Sequence, residues 1–115
     1  AKLGHLSPKL FDAISHEAIE KIDDFSSQGI ANTVWAYAKL GYPSTKLFDA
    51  ILQKAMEKLD GFKSQEIANT VWAYARVGHL SPKLFDALSH KAIKRLNTFK
   101  SQEIANTLWA YAKLK

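Results

Sequence analysis

The chain has 115 residues, 47% of them hydrophobic, no cysteine, and a formal charge of +5 with a pI near 9.5. That composition excludes a disordered tail, a disulfide framework and a thiolate metal site, and no apolar run approaches the roughly 20 residues needed to span a bilayer. The charge is uneven: four lysines face five acids over residues 1–41, five bases face four acids over 42–78, and seven bases face two acids over 79–115. The growing basic field favours polyanions through steering and counterion release, without naming one.

Taken in order, the chain opens at Ala1-Lys2-Leu3-Gly4, a copy of Ala38-Lys39-Leu40-Gly41. Residues 1–4 therefore read as the tail of a preceding unit, and the chain as a piece of a longer array. No signal peptide is visible. Ser7 and Pro8 then supply a cap and a first helical residue. Leu10, Phe11, Ile14, Ala18 and Ile22 recur at steps of three and four, which predicts a helix A at about residues 8–23 with one apolar stripe. Asp24-Phe25-Ser26 makes a corner with Phe25 as a plug. Helix B is expected from about Ser27 to Leu40, stopped by Gly41 in the left-handed region.

The same unit then returns. I-A-N-T-V-W-A-Y-A-K-L-G at residues 30–41 recurs as I-A-N-T-V-W-A-Y-A-R-V-G at 67–78 and as I-A-N-T-L-W-A-Y-A-K-L-K at 104–115. Trp35, Trp72 and Trp109 stand one step of 37 residues apart, as do Phe11, Phe48 and Phe85. A fixed period in this range is the signature of stacked repeats. The expectation is an all-α chain, an α-solenoid of six helices without strands, with units at 5–41, 42–78 and 79–115. The second unit has Ser44-Thr45 in place of Ser-Pro and moves its proline to Pro43, while the third restores Ser81-Pro82. Apolar faces should stay open at both ends, where end-to-end self-association becomes feasible.

At 100° per residue, Ile30, Val34, Tyr37 and Ala38 share one face of helix B, with Ala31 at its border. Gln28, Asn32 and Lys39 share the opposite wedge, with Trp35 on its margin. The copies are Gln65, Asn69, Arg76 and Trp72, then Gln102, Asn106, Lys113 and Trp109. Stacked units line these up as an amide row, a cationic row and an aromatic edge. Amides can read bases or hold extended backbones, cations neutralise phosphates, and aromatics stack bases. The bland alternatives are a tryptophan that is core, an asparagine that bonds a neighbouring backbone, and a last-turn cation held by the helix dipole.

Helix A offers secondary candidates on its outer face: Lys9, His16, Lys46, Gln53, Lys83 and His90, together with Asp12 and Glu20. A mixed-charge face is ordinarily just solvated. Lys9, Lys46 and Lys83 fall in a first turn, where the dipole disfavours a cation, and Lys63 and Lys100 take comparable places before helix B. Either local pairing, such as Lys9 with Asp12, or a bound polyanion accounts for them. Discriminating residues, if each unit reads one nucleotide, are sought among positions that vary: His16/Gln53/His90, Glu17/Lys54/Lys91, Glu20/Glu57/Lys94 and Gly29/Glu66/Glu103. Surface drift is the alternative there. Catalysis is not expected. The histidines fall two units apart, no H-E-x-x-H spacing occurs, and neither a nucleophile elbow nor a phosphate-cradling loop is present. No cofactor, metal, membrane or small-molecule substrate is implied.

The A-N-T-[VL]-W-A-Y-A-[KR] core, joined to L-F-D-A on helix A, resembles the octotricopeptide and heptatricopeptide repeats. These are α-solenoid families of organellar proteins that often end in a RAP domain and are related to the FAST-kinase-like proteins. A period of 37 suits the heptatricopeptide form. The resemblance implies sequence-selective single-stranded RNA binding in processing, stability or translation of chloroplast or mitochondrial transcripts. The rival is a protein-binding scaffold, since armadillo-type arrays also line a groove with Trp and Asn to grip an extended peptide. The 11 differences between residues 5–41 and 79–115 suit a consensus-like design as well as a natural array.

Overall fold

The structure, a computed structural model, describes residues 8–42 and 44–114. The expected Ser7 cap, His5, the tail at 1–4, Pro43 and Lys115 lie outside the described residues. Six α-helices occupy the rest: α1 Pro8–Glu20, α2 Ser27–Leu40, α3 Thr45–Glu57, α4 Ser64–Val77, α5 Pro82–Arg95 and α6 Ser101–Lys113. No strand occurs among the described residues. Helix A was expected to run to residue 23, but α1 ends at Glu20 and a single 3₁₀ turn, Ile22–Asp24, leads into the corner. The tighter turn recurs at Leu59–Gly61 and Leu96–Thr98. It brings Phe25, Phe62 and Phe99 back onto the helices, with Phe62 and Phe99 buried.

Helix starts are built in two ways. Ser26 accepts from the Gly29 N–H at 3.0 Å and caps α2. At α4 and α6 the cap residues are Lys63 and Lys100, whose own N–H groups donate to the Glu66 and Glu103 carboxylates at 2.9 and 2.8 Å. Each glutamate also places negative charge beside the positive helix end. These contacts use the backbone of Lys63 and Lys100 and serve the helix end rather than the lysine side chains. Lys9 is not paired with Asp12 among the described residues. Asp12 instead accepts from the Tyr42 hydroxyl at 2.7 Å. Gly41 and Gly78 stop α2 and α4 at φ of 70° and 77°, a region costly for residues with a Cβ.

α2, α4 and α6 lie side by side in one row, and α1, α3 and α5 form a second row against it. The link within each hairpin is a tyrosine. Tyr37, Tyr74 and Tyr111 donate across to the carbonyls of Phe11, Phe48 and Phe85, at 3.0, 2.6 and 2.6 Å. Burial pushes the Tyr74 phenol well above its ordinary range and Tyr111 to about 12, so both remain donors. Around them Ile30, Val34, Leu47, Phe48, Ile51, Ile67, Val71, Leu84 and Leu88 are buried. Each such apolar side chain contributes roughly 1.5–3 kcal/mol.

Contacts between hairpins repeat in register. Lys54 pairs with Asp23 at 2.5 Å and Lys91 with Asp60 at 3.5 Å, each reaching back to the preceding corner. Tyr42 meets Asp12, and one unit on His79 meets Asp49 at 2.8 Å. Arg76 donates through Nε to the Ala38 carbonyl at 3.2 Å, and Lys58 donates to the Phe25 carbonyl.

Candidate functional site

Burial of one face of α2, α4 and α6 against the α1, α3 and α5 row aims the opposite face outward, and there the structure opens a groove of about 380 Å³. It is lined by Asn32, Trp35 and Lys39 of α2, Gln65, Asn69 and Trp72 of α4, and Gln102 and Asn106 of α6. A second recess of about 320 Å³ is lined by Ala38, Gly41, Arg76, Val77, Trp109 and Lys113. Eleven of the twelve helix B candidates therefore face one of the two openings, and none of the lining residues is acidic. Gln28, the twelfth, is exposed on α2 but lines neither.

The tryptophans form a continuous row. Centroids of Trp35 and Trp72 are 6.4 Å apart and those of Trp72 and Trp109 are 6.1 Å apart, with planes tilted by 36° and 37°. A cation one turn further on lies over each ring: Lys39 over Trp35 at 5.8 Å, Arg76 over Trp72 at 5.5 Å and Lys113 over Trp109 at 5.7 Å. Neighbouring rings are tilted and stand slightly closer than the roughly 6.8 Å that two stacking steps of about 3.4 Å would take. What the rings present is an apolar floor, with Trp35 37% and Trp109 40% exposed. They are neither fully core nor free platforms.

The amides stand on the other side of that floor. Asn32, Asn69 and Asn106 precede the cations by seven residues on the same helix face, so the two rows are about 10 Å apart at 1.5 Å per residue. Gln102 donates to the Asn106 carbonyl oxygen at 3.5 Å, which steadies one amide without burying it. Groove and recess taken together thus present a cationic row, an aromatic row and an amide row, each with one member per helix. Such a cross-section can hold a chain that carries an anion on one side and hydrogen-bonding groups on the other.

Helix A contributes nothing to either opening. Lys9, His16, Lys46, Gln53, Lys83 and His90 are exposed on α1, α3 and α5, and none lines the groove or the recess. Nor do the variable positions. Glu66 and Glu103 serve helix starts, and Lys54 and Lys91 hold neighbouring corners. The recess also takes in Ala38 and Gly41, which the sequence placed on the packing face and at the helix stop rather than at a site. Their signal was size, since small residues at the end of a helix leave a hollow beside the larger Arg76 and Trp109.

Fold and groove together define a helical protein with an open, polar, acid-free channel built from parallel rows of side chains. The family is narrower. A family model described as RNA-editing substrate-binding complex 6 protein, RESC6, matches residues 1–115, and the chain belongs to that family. The family is RNA-related. No curated protein matches the chain. Among the described residues no helix is long and apolar enough to cross a membrane.

Proposed function

We propose that the chain is a non-catalytic α-solenoid module that binds single-stranded RNA along the groove, one nucleotide or nearly so per hairpin. The observation that carries this reading is the alignment of a cationic, an aromatic and an amide row across three helices with no acid among them. Lys39, Arg76 and Lys113 take phosphates. Asn32, Asn69, Asn106, Gln65 and Gln102 bond bases or sugars. Trp35, Trp72 and Trp109 give the bases an apolar floor, by ring edges rather than by sandwiching. Single-stranded RNA is favoured over duplex because unpaired bases can turn their edges toward the amides.

The family description supports an RNA substrate held within an RNA-editing assembly. The resemblance to heptatricopeptide repeats supports action on organellar transcripts, and we place the parent protein in the mitochondrion on these two grounds. The test is fluorescence anisotropy on a panel of short single-stranded RNAs at two salt concentrations. An Asn32→Ala, Asn69→Ala, Asn106→Ala triple variant is run alongside. Affinity should depend on sequence, fall with salt at a log–log slope of about −2 for three phosphate contacts, and drop in the variant. Absence of binding at low salt overturns the reading and leaves a peptide-gripping scaffold in its place. Salt-sensitive binding indifferent to sequence and to the variant would move the contact to the helix A lysines.

A further inference from the structure

The three cations beside the tryptophans are equivalent by position but not by contact. Lys39 and Lys113 each lie over one ring and make no hydrogen bond or ion pair among the described residues. Arg76 is held twice. Its guanidinium carbon lies 5.5 Å from the Trp72 centroid, and its Nε donates to the Ala38 carbonyl at 3.2 Å, one hairpin back. Ala38 belongs to the last turn of α2, whose carbonyls lack helical partners and carry the negative end of the dipole. Arg76 therefore covers a group that would repel an anion. Its two Nη groups, taken up by no described residue, keep the planar fork that matches two oxygens of a phosphate.

Arg76 lines the recess of about 320 Å³ together with Lys113, the Trp109 ring and the small residues Ala38 and Gly41, with no acid among the lining residues. That volume is about ten times the roughly 30 Å³ share of a water, room for a phosphate and part of its ribose. We propose that the recess is a preformed phosphate site, in which the Nη edge of Arg76 takes two oxygens of one phosphate and the Lys113 ammonium supplies a second positive charge. On the RNA reading above, from which this part follows, it holds one backbone phosphate at a fixed place. Arg76 then sets the register in which the amide row meets the bases. Lys39, a point charge on a flexible stem, follows the strand rather than placing it. Fixing the fork before the ligand arrives removes ordering that a lysine undergoes only on binding. The middle hairpin therefore differs in role from its neighbours although it copies their sequence.

Inorganic phosphate is the first probe, titrated into the 115-residue chain at constant ionic strength and followed by NMR. The Gly41 amide and the Arg76 Nε–H should shift together and saturate. Arg76→Lys keeps the charge but loses the fork and the Ala38 bond, and should abolish the Gly41 shift. Lys83→Ala, which removes a charge on α5 away from the recess, should leave that shift in place. Circular dichroism confirms that both variants fold. Single-stranded RNA is the second probe. Arg76→Lys should lose about tenfold in affinity at an unchanged salt slope, because the charge stays while charge-assisted hydrogen bonds are lost. A Gly41 amide that ignores phosphate, or shifts as much in Arg76→Lys, overturns the site. RNA affinity unmoved by Arg76→Lys overturns the anchor and leaves the RNA reading standing. Phosphate shifts without RNA binding refute the RNA reading and leave the site standing.

Discussion

Two aromatic rows run along the same three helices, two residues apart, and meet opposite fates. Tyr37, Tyr74 and Tyr111 turn inward and donate to the helix A backbone, with Tyr74 fully buried. Trp35, Trp72 and Trp109 sit about 200° further round and form the floor of an open groove. The tyrosine row answers to the fold. The tryptophan row, with Trp72 packed against the core and a cation over each ring, lines the openings instead. Similar residue type and equal regularity therefore do not imply equal purpose, and mutation should separate the two.

The largest separation is expected from Tyr74→Ala. Emptying a buried aromatic site and losing the bond to Phe48 should cost about 3–5 kcal/mol in urea unfolding. RNA affinity of the folded fraction should be unchanged. Next comes Trp72→Ala, expected to weaken RNA binding by about 1 kcal/mol, the low end for base–aromatic contact because Arg76 already lies over the ring. Its stability loss should be well below that of Tyr74→Ala, since Trp72 is only half-buried. If Trp72→Ala were the more destabilising of the two, the division between the rows would fail.

A smaller effect should appear between the rows. Thr70 Oγ1 is buried without a hydrogen-bond partner, whereas Thr33 Oγ1, its copy at the open end, donates to the Gly29 carbonyl at 2.7 Å. Thr70→Val keeps the shape and removes an unsatisfied hydroxyl. It should stabilise the chain by about 1 kcal/mol in urea unfolding, while Thr33→Val should not. A destabilised Thr70→Val would show that the hydroxyl is satisfied.

The smallest effect concerns the corner pairs. The hydrogen bond and charge of Lys54 hold the Asp23 carboxyl below its ordinary 3.8, and the pair is exposed on the Asp23 side. Its contribution is therefore complete above 3.8 and is lost as pH falls through the lowered folded value. Urea midpoints measured at about pH 7 and about pH 3 should converge slightly in Asp23→Asn, and the difference should shrink in high salt.

Much of this was legible in the residues. The six helices were expected, and a 3.6-residue wheel put Ile30, Val34 and Tyr37, which are buried, on a different face from the exposed Asn32 and Lys39. α2 runs over Ser27–Leu40, the span that its serine start and glycine stop imply. What stayed hidden depended on partners distant in the chain. Asp12 could not be assigned to Tyr42, nor Lys54 to Asp23, because those contacts exist only once hairpins stack. The tryptophans were read as core or platform, and ring-to-ring spacing, which decides what can fit between them, is set by helix packing alone. Variable positions were likewise ambiguous. Gly29/Glu66/Glu103 looked available for reading a ligand, and the structure gives them to the helix starts.

That exchange of starting residues bears on how such chains can recombine. Ser26 works with Gly29, Lys63 with Glu66 and Lys100 with Glu103, so each unit carries a matched set. A crossover falling inside the three-residue interval would shuffle the sets, and its two products are unequal. Serine followed by glutamate is a complete capping box and should be fitter than either parent, as a Cβ at position 29 meets only ordinary contacts. Lysine followed by glycine offers the helix end a repelled cation and no acceptor. Exchange of hairpins between such arrays should thus leave a directional scar, with serine–glutamate junctions surviving and lysine–glycine junctions purged.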